Sequence, residues 1–248
     1  MAIGPATKLI QYAQDSGKTY VGSFRLGLKS DTEDITGQVE EIPTAREITE
    51  SELALALGNF IGEILQVPPQ FSAVKVNGQR AYKSARKGET VDIKARPARI
   101  DSIKLKAFEF PDFQIEIQCG KGTYVRTLGR DIAKSLGSDS VMTALQRTAV
   151  GNFSIESSYT LDDIENRSIE KLMSQPSALV ANLPKVLLSD DDIERLLHGK
   201  KLSSSSFDPG LTEIAAFNTS QQLLAILEKK SSTEVGSKIN FVPQLYSK

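Results

Sequence analysis

The stretch from Phe113 to Gly151 constrains this chain most, because it reads as a strand, a glycine turn and a helix that opens on an arginine. Phe113, Ile115, Ile117 and Cys119 alternate with Gln114, Glu116 and Gln118, the period of two of a half-buried strand. Gly120 and Gly122 flank Lys121 and allow a sharp turn. Val125, Leu128, Ile132 and Leu136 then recur at helical spacing. Tyr124 and Arg126 fall where the helix begins, and unpaired backbone N–H groups there attract anions. Such a junction suits a phosphate or a nucleotide. An ordinary strand-to-helix connection with a surface arginine is the alternative.

Several function classes are excluded by composition. The single cysteine, Cys119, forbids an internal disulfide or a cysteine metal cluster, and the single histidine, His198, argues against a histidine metal site or a Ser–His triad. His198 precedes Gly199 in ERLLHGKKL, where a helix C-terminus favours a cation. The acids of Ser30–Gly37 form a polar turn and lack the spacing of a calcium loop. No apolar run approaches the ~20 residues of a membrane span, and no secretion pattern opens the chain. The expected location is therefore the cytoplasm. Net charge is −1, but it is unevenly spread. Residues 1–70 carry 5 Lys/Arg against 10 Asp/Glu, whereas residues 71–106 carry 10 against 3. That basic zone suits a phosphate backbone, or is a solvated face.

Taken in order, Ala6, Leu9, Ile10 and Ala13 share one face of a first helix closed near Gly17. Residues 19–28 alternate as a strand. Thr49 with Glu52 forms a capping box, and Leu53, Leu57, Phe60, Ile61 and Ile64 continue that helix toward Pro68-Pro69. Residues 82–87 suit a short helix and 93–106 an extended segment. Val150–Ile155 reads as a short strand and Thr160 opens a small helix. Ser189 caps a helix, residues 203–210 form a loop, and strands are expected at 213–217, 222–227 and 239–242. Residues 184–248 thus read as a small, mostly β domain.

Five stretches, in order, resemble the TruB family of tRNA pseudouridine synthases: ATKLIQY, TYVGSFRLGLKSDTEDITG, VPPQFSAVKVNGQRAYKSARKG, CGKGTYVRTLGRDIAKSLGSDSVMTALQRTAVGNF and LPKVLLSDDDIERLLHGKKL. The resemblance implies an α+β fold: a mixed central β-sheet with flanking helices and a small PUA-like C-terminal domain. It implies a catalytic domain at 1–173, an RNA-gripping insertion near 68–95 and an RNA-binding domain at 184–248. The implied activity is isomerisation of uridine-55 in the tRNA T loop to pseudouridine, without cofactor or metal, by a monomer whose partner is the T arm. Tyr20 would pack on the flipped base, Tyr124 would line the uridine pocket and Leu145 would contact the base through its backbone. Arg126 would pair with the catalytic aspartate and keep it ionised. Lys75, Arg80, Arg86 and Lys87 would meet phosphates.

One departure stands against the match. The family's nucleophilic aspartate lies in a GTLDP-like loop shortly before the segment matched by ATKLIQY, and no such motif occurs in the 248 residues. Asp31, Asp34 and Asp131 do not fit its place. The expectation is a chain shortened at its N-terminus and inactive unless extended upstream. A non-catalytic tRNA-binding protein is the alternative.

Overall fold

The computed structural model describes residues 1–42, 47–76, 78–203 and 210–246. It divides into two compact units, Asp15–Ser158 and Met1–Gln14 together with Tyr159–Lys248.

The chain enters through a 3-10 turn, Gly4–Leu9, which runs into α1 (Ile10–Asp15). The expected face of that helix is only partly realised: Leu9 is buried but Ile10 is exposed. The larger unit is built on β1 (Lys18–Leu26), β2 (Leu28–Ser30), β3 (Val39–Glu41), β4 (Gly62–Gln66), β5 (Lys75–Val76) and β6 (Gln79–Arg80). It continues with β7 (Arg96–Glu109), β8 (Asp112–Cys119), β9 (Ser140–Val150) and β10 (Phe153–Ser154). Six of these strands form one sheet in the order β10-β9-β1-β8-β7-β4. Every ladder between them is antiparallel. The expected central sheet with flanking helices is present, and its strands pair antiparallel throughout rather than in a mixed pattern.

Two helices cover one face of this sheet. α2 (Glu50–Gly58) begins at the capping box read from the sequence, in which Thr49 and Glu52 satisfy each other's backbone N–H groups. A short helix, α3 (Ala81–Ala85), follows, and α4 (Val125–Ser135) comes third. Leu53 and Leu57 of α2 and Val125, Leu128 and Ile132 of α4 pack on Phe24, Ile115 and Ile117 of the sheet. These side chains are removed from water, the main favourable term in folding.

Two expectations need correction. The second helix does not run to Pro68; it ends at Gly58, and residues 62–66 are the edge strand β4. Gly62 has a φ of +106°, outside helical space, and there the chain reverses into the strand. The eleven-residue strand β9 was not foreseen at all. Its sequence, SVMTALQRTAV, has no clean alternation, and its exposed stretch Thr143–Arg147 carries no burial signal.

The second unit holds α5 (Leu161–Asn166), α6 (Ile169–Leu172), β11 (Lys185–Leu187), α7 (Asp190–Leu197) and β12 (Leu202–Ser203). Its remaining elements are β13 (Glu213–Phe217), β14 (Leu223–Lys229), β15 (Glu234–Asn240) and α8 (Val242–Tyr246). The third expected strand therefore begins about five residues earlier than read, and Val242 opens a helix instead. The five-stranded order is β11-β13-β14-β15-β12, with β11 parallel to β13. Ser189 caps α7 as expected, and His198 is the residue at its C-terminal cap. Most of the serine-rich loop expected at 203–210 lies outside the described residues. Leu9 is buried among Val180, Phe217, Ile226 and Phe241. The Tyr12 hydroxyl donates to Glu213 Oε2 at 2.7 Å, and Lys238 donates to the same carboxylate. Burial lifts the Glu213 carboxyl, but the bonds from Lys238 and Tyr12 outweigh it and hold the group below its usual range. The first residues of the chain are thus fastened to the C-terminal sheet. Among the described residues no helix is long and apolar enough to cross a membrane.

Candidate active site

Arg126 lies in the first turn of α4, and its guanidinium joins two loops. Nη1 donates to the Thr32 carbonyl at 3.0 Å and Nη2 to the Phe71 carbonyl at 3.3 Å. Thr32 belongs to the polar turn after β2, and Phe71 to the start of the basic insertion. Both acceptors are neutral carbonyls.

The sheet brings the other residues toward the same helix. Tyr20 on β1 lies opposite Ile117 of β8 and Arg147 of β9, and Gly22 lies opposite Leu145. Residues two apart in a strand share a face, so Tyr20, Gly22, Leu145 and Arg147 line one side of the sheet. α4 packs on that side: Val125 Cγ1 is 3.4 Å from where a Cβ on Gly22 would sit. Tyr20 is half-buried against the core, and Leu145 is 42% exposed although it stands in the middle of the sheet. Arg147, opposite Tyr20, was not singled out from the sequence.

Tyr124 caps α4, and its backbone is bracketed by Gln66. Its N–H donates to Gln66 Oε1 at 3.1 Å, and Gln66 Nε2 donates back to its carbonyl at 3.3 Å. Gln66 is only 2% exposed. One of the free helix amides that sequence reasoning assigned to an anion is thus already satisfied within the fold. Gln70 makes the same double contact with Val91, at 2.9 and 3.0 Å. Beyond it, β5 and β6 form a hairpin, and Val74, Ala81 and Ile93 make a small core on which Tyr124 packs. Lys75, Arg80, Arg86 and Lys87 are all exposed on this insertion. The Arg86 guanidinium lies 5.3 Å from the Tyr82 ring centre.

Behind Arg126 runs a buried ionic network that local sequence patterns do not reveal. Thr127 Oγ1 donates to Glu33 Oε2 at 2.7 Å, and Arg130 pairs with the other oxygen of that carboxylate. Burial pushes the Glu33 carboxyl up, while Arg130 and Thr127 oppose the shift. The remaining acids are engaged locally. Asp34 Oδ1 accepts from the Thr36 N–H and hydroxyl, Asp31 Oδ1 accepts from the Gln38 N–H, and Asp131 takes Arg130. Burial raises the Cys119 thiol above its usual range. Among the described residues no group of His, Cys, Asp and Glu could hold a metal ion.

The chemistry available here is recognition: an exposed sheet face beside an aromatic ring, an arginine held by two loops, and a basic hairpin. Known proteins resemble the chain as a whole. Residues 1–125 match the model of the TruB family pseudouridylate synthase N-terminal domain, and residues 126–191 that of the tRNA pseudouridylate synthase B C-terminal domain. The tRNA pseudouridine synthase B of Streptococcus pyogenes serotype M3 is 38% identical over 245 residues, covering 93% of this chain and 80% of that protein. That of Staphylococcus haemolyticus is 40% identical over 233 residues, covering 89% and 76%. Two solved structures share the fold, each with a TM-score of 0.70 over 96% of this chain and 70% of theirs. They are a Cbf5-Nop10-Gar1 complex at 21% identity and an H/ACA RNP bound to a substrate RNA containing 2'-deoxyuridine at 19%. The chain belongs to the TruB family of tRNA pseudouridine synthases.

Proposed function

We propose that this protein recognises the tRNA T arm and presents uridine-55 for isomerisation to pseudouridine. In this reading Tyr20 stacks on the flipped base, Tyr124 walls the pocket and Leu145 meets the base through its backbone. An aromatic face offsets the cost of unstacking, which is about a few kcal/mol. Lys75, Arg80, Arg86 and Lys87 hold phosphates. Residues 1–173 serve catalysis and 184–248 bind RNA, and the protein works as a monomer in the cytoplasm. The observation that carries the reading is the setting of Arg126. Its guanidinium is held at the start of α4, the helix whose Val125 packs over Gly22 of the sheet, and its hydrogen bonds among the described residues go to two carbonyls. Its charge, which also acts on the buried Glu33 carboxylate, suits a carboxylate that would act as nucleophile.

The isomerisation breaks the bond from C1′ to N1, forms one from C1′ to C5, releases the C5 hydrogen as a proton and leaves N1 to take up a proton from solvent, so that the product has the same atoms as the substrate. It needs a nucleophile within about 3–3.5 Å of the reacting carbon. No GTLDP motif occurs in the 248 residues, and Asp31, Asp34 and Asp131 are bound to their own turn or helix. The 248 residues by themselves are therefore proposed to bind without turnover. This same observation favours a second reading, a non-catalytic tRNA-binding protein.

The test compares a T-arm stem-loop carrying uridine at the target position with one abasic there. The uridine RNA is expected to bind about tenfold more tightly, since stacking on an aromatic side chain contributes about 1–3 kcal/mol per base. Tyr20→Ala should erase the difference. Equal binding of the two RNAs by the unaltered chain would contradict the pocket.

A further inference from the structure

The turn that offers its carbonyl to Arg126 is held by an unusual residue. Glu33 is 7% exposed and has a φ of +61°, left-handed backbone that an L-residue other than glycine seldom adopts. Its backbone is fixed on one side. The N–H donates to the Ser30 carbonyl at 3.2 Å, and the carbonyl accepts from the Met142 N–H of β9 at 3.0 Å. The next residues continue the attachment, with the Ile35 N–H donating to the Met142 carbonyl at 2.9 Å. The carboxylate is fixed on the other side, by Thr127 and Arg130 of α4. Arg130 is itself steadied by Asp131, through Nε at 3.0 Å and Nη2 at 2.8 Å.

Thr127 and Arg130 stand three residues apart, so they share a helix surface. Arg126 immediately precedes Thr127, and Thr32 immediately precedes Glu33. Two neighbouring residues of one turn are thus tied to neighbouring residues of one helix, crosswise from carboxylate to hydroxyl and from guanidinium to carbonyl. A buried carboxylate is costly unless both oxygens are satisfied, and here both are. Rare backbone geometry persists where the surroundings over-determine it, and it clusters at working sites.

We infer that Glu33 is a positioning residue, which acts through Thr127 and Arg130 to hold the turn so that Arg126 keeps one orientation toward the uridine pocket. Glu33 touches no substrate. The inference rests on the role proposed above for Arg126.

Rotation of the Arg126 guanidinium about its Cζ–Nε bond, followed by nitrogen NMR on the 248-residue chain, tests this directly. In the unaltered chain the two Nη groups, each on its own carbonyl, exchange slowly. Glu33→Ala should speed the exchange about tenfold, and Thr127→Val by a smaller factor, while the backbone amides of α4 keep their protection from solvent exchange. Unchanged rotation would overturn the inference. So would loss of protection along all of α4, because Glu33 would then serve the helix rather than the arginine. Glu33→Gln keeps the size of the side chain and replaces the alanine variant if that does not fold. In the RNA comparison, Glu33→Ala should lower the preference for uridine over the abasic RNA and leave abasic affinity alone. That loss should vanish when Arg126→Met is also present; a loss that persists there contradicts the inference. If the unaltered chain shows no preference, the uridine-55 reading fails, and the rotation measurement decides the role of Glu33 alone.

Discussion

Replacing Gly129 by alanine is expected to destabilise the unit that carries Arg126 by about 2 kcal/mol or more. Alanine should ordinarily help a helix interior, by about 1 kcal/mol over glycine. Here a Cβ would lie 2.1, 2.3 and 2.8 Å from three carbons of the Phe24 ring, closer than any real contact. The ring has nowhere to retreat. Phe24 is fully buried and stacked on Phe113 at 5.1 Å, and a Cβ on Gly22 would already stand 2.9 Å from it. Gly129 therefore lets α4, the helix that carries Arg126, lie close on the sheet. Thermal unfolding should show a fall of about 4–8 °C for a domain of this size. Phe24→Leu, added to Gly129→Ala, should restore part of the loss because it removes the atoms in collision. A variant as stable as the original would show that helix and sheet separate at little cost.

Exchanging Lys75, Arg80, Arg86 and Lys87 together for alanine is expected to weaken T-arm RNA binding by about a hundredfold at ~0.15 M salt. All four side chains are exposed, so stability should change little. The sharper signature lies in the salt dependence. Each neutralised phosphate contributes about 0.7–0.9 to the slope of log affinity against log salt, so the slope should flatten by about 3. The small core of Val74, Ala81 and Ile93, on which Tyr124 packs, places this hairpin next to the proposed pocket. An unchanged slope would move the RNA grip elsewhere on the protein.

How much of this was legible in the sequence varied with the range of the interaction. Period-two alternation gave β8, and the 3.6-residue recurrence of Val125, Leu128 and Ile132 gave α4, because each element writes its buried face locally. The Thr49–Glu52 box was legible for the same reason. β4 was lost inside a run of apolar residues that suits a helix face equally well until Gly62 reverses the chain. β9 was lost because its middle stays exposed and carries no burial signal. At the candidate site, motif order pointed to Tyr20, Tyr124, Arg126 and Leu145. What surrounds them was hidden. Gln66 meets Tyr124 across 58 residues, and Glu33 meets Arg130 across 97. Contacts of that span depend on how strands and helices pack, and a polar residue bound for burial looks in sequence like any surface residue.

The proposed uridine pocket and its arginine lie in these 248 residues, in which no GTLDP motif occurs. The most direct measurement is conversion of uridine-55 in T-arm RNA, read as release of the C5 hydrogen, with the protein in excess over RNA. The 248-residue chain should bind the RNA and release none, and the same chain joined in frame to an upstream segment bearing a GTLDP-like loop should convert it. Release by the 248-residue chain alone would contradict the account, because one of its own carboxylates would then be the nucleophile.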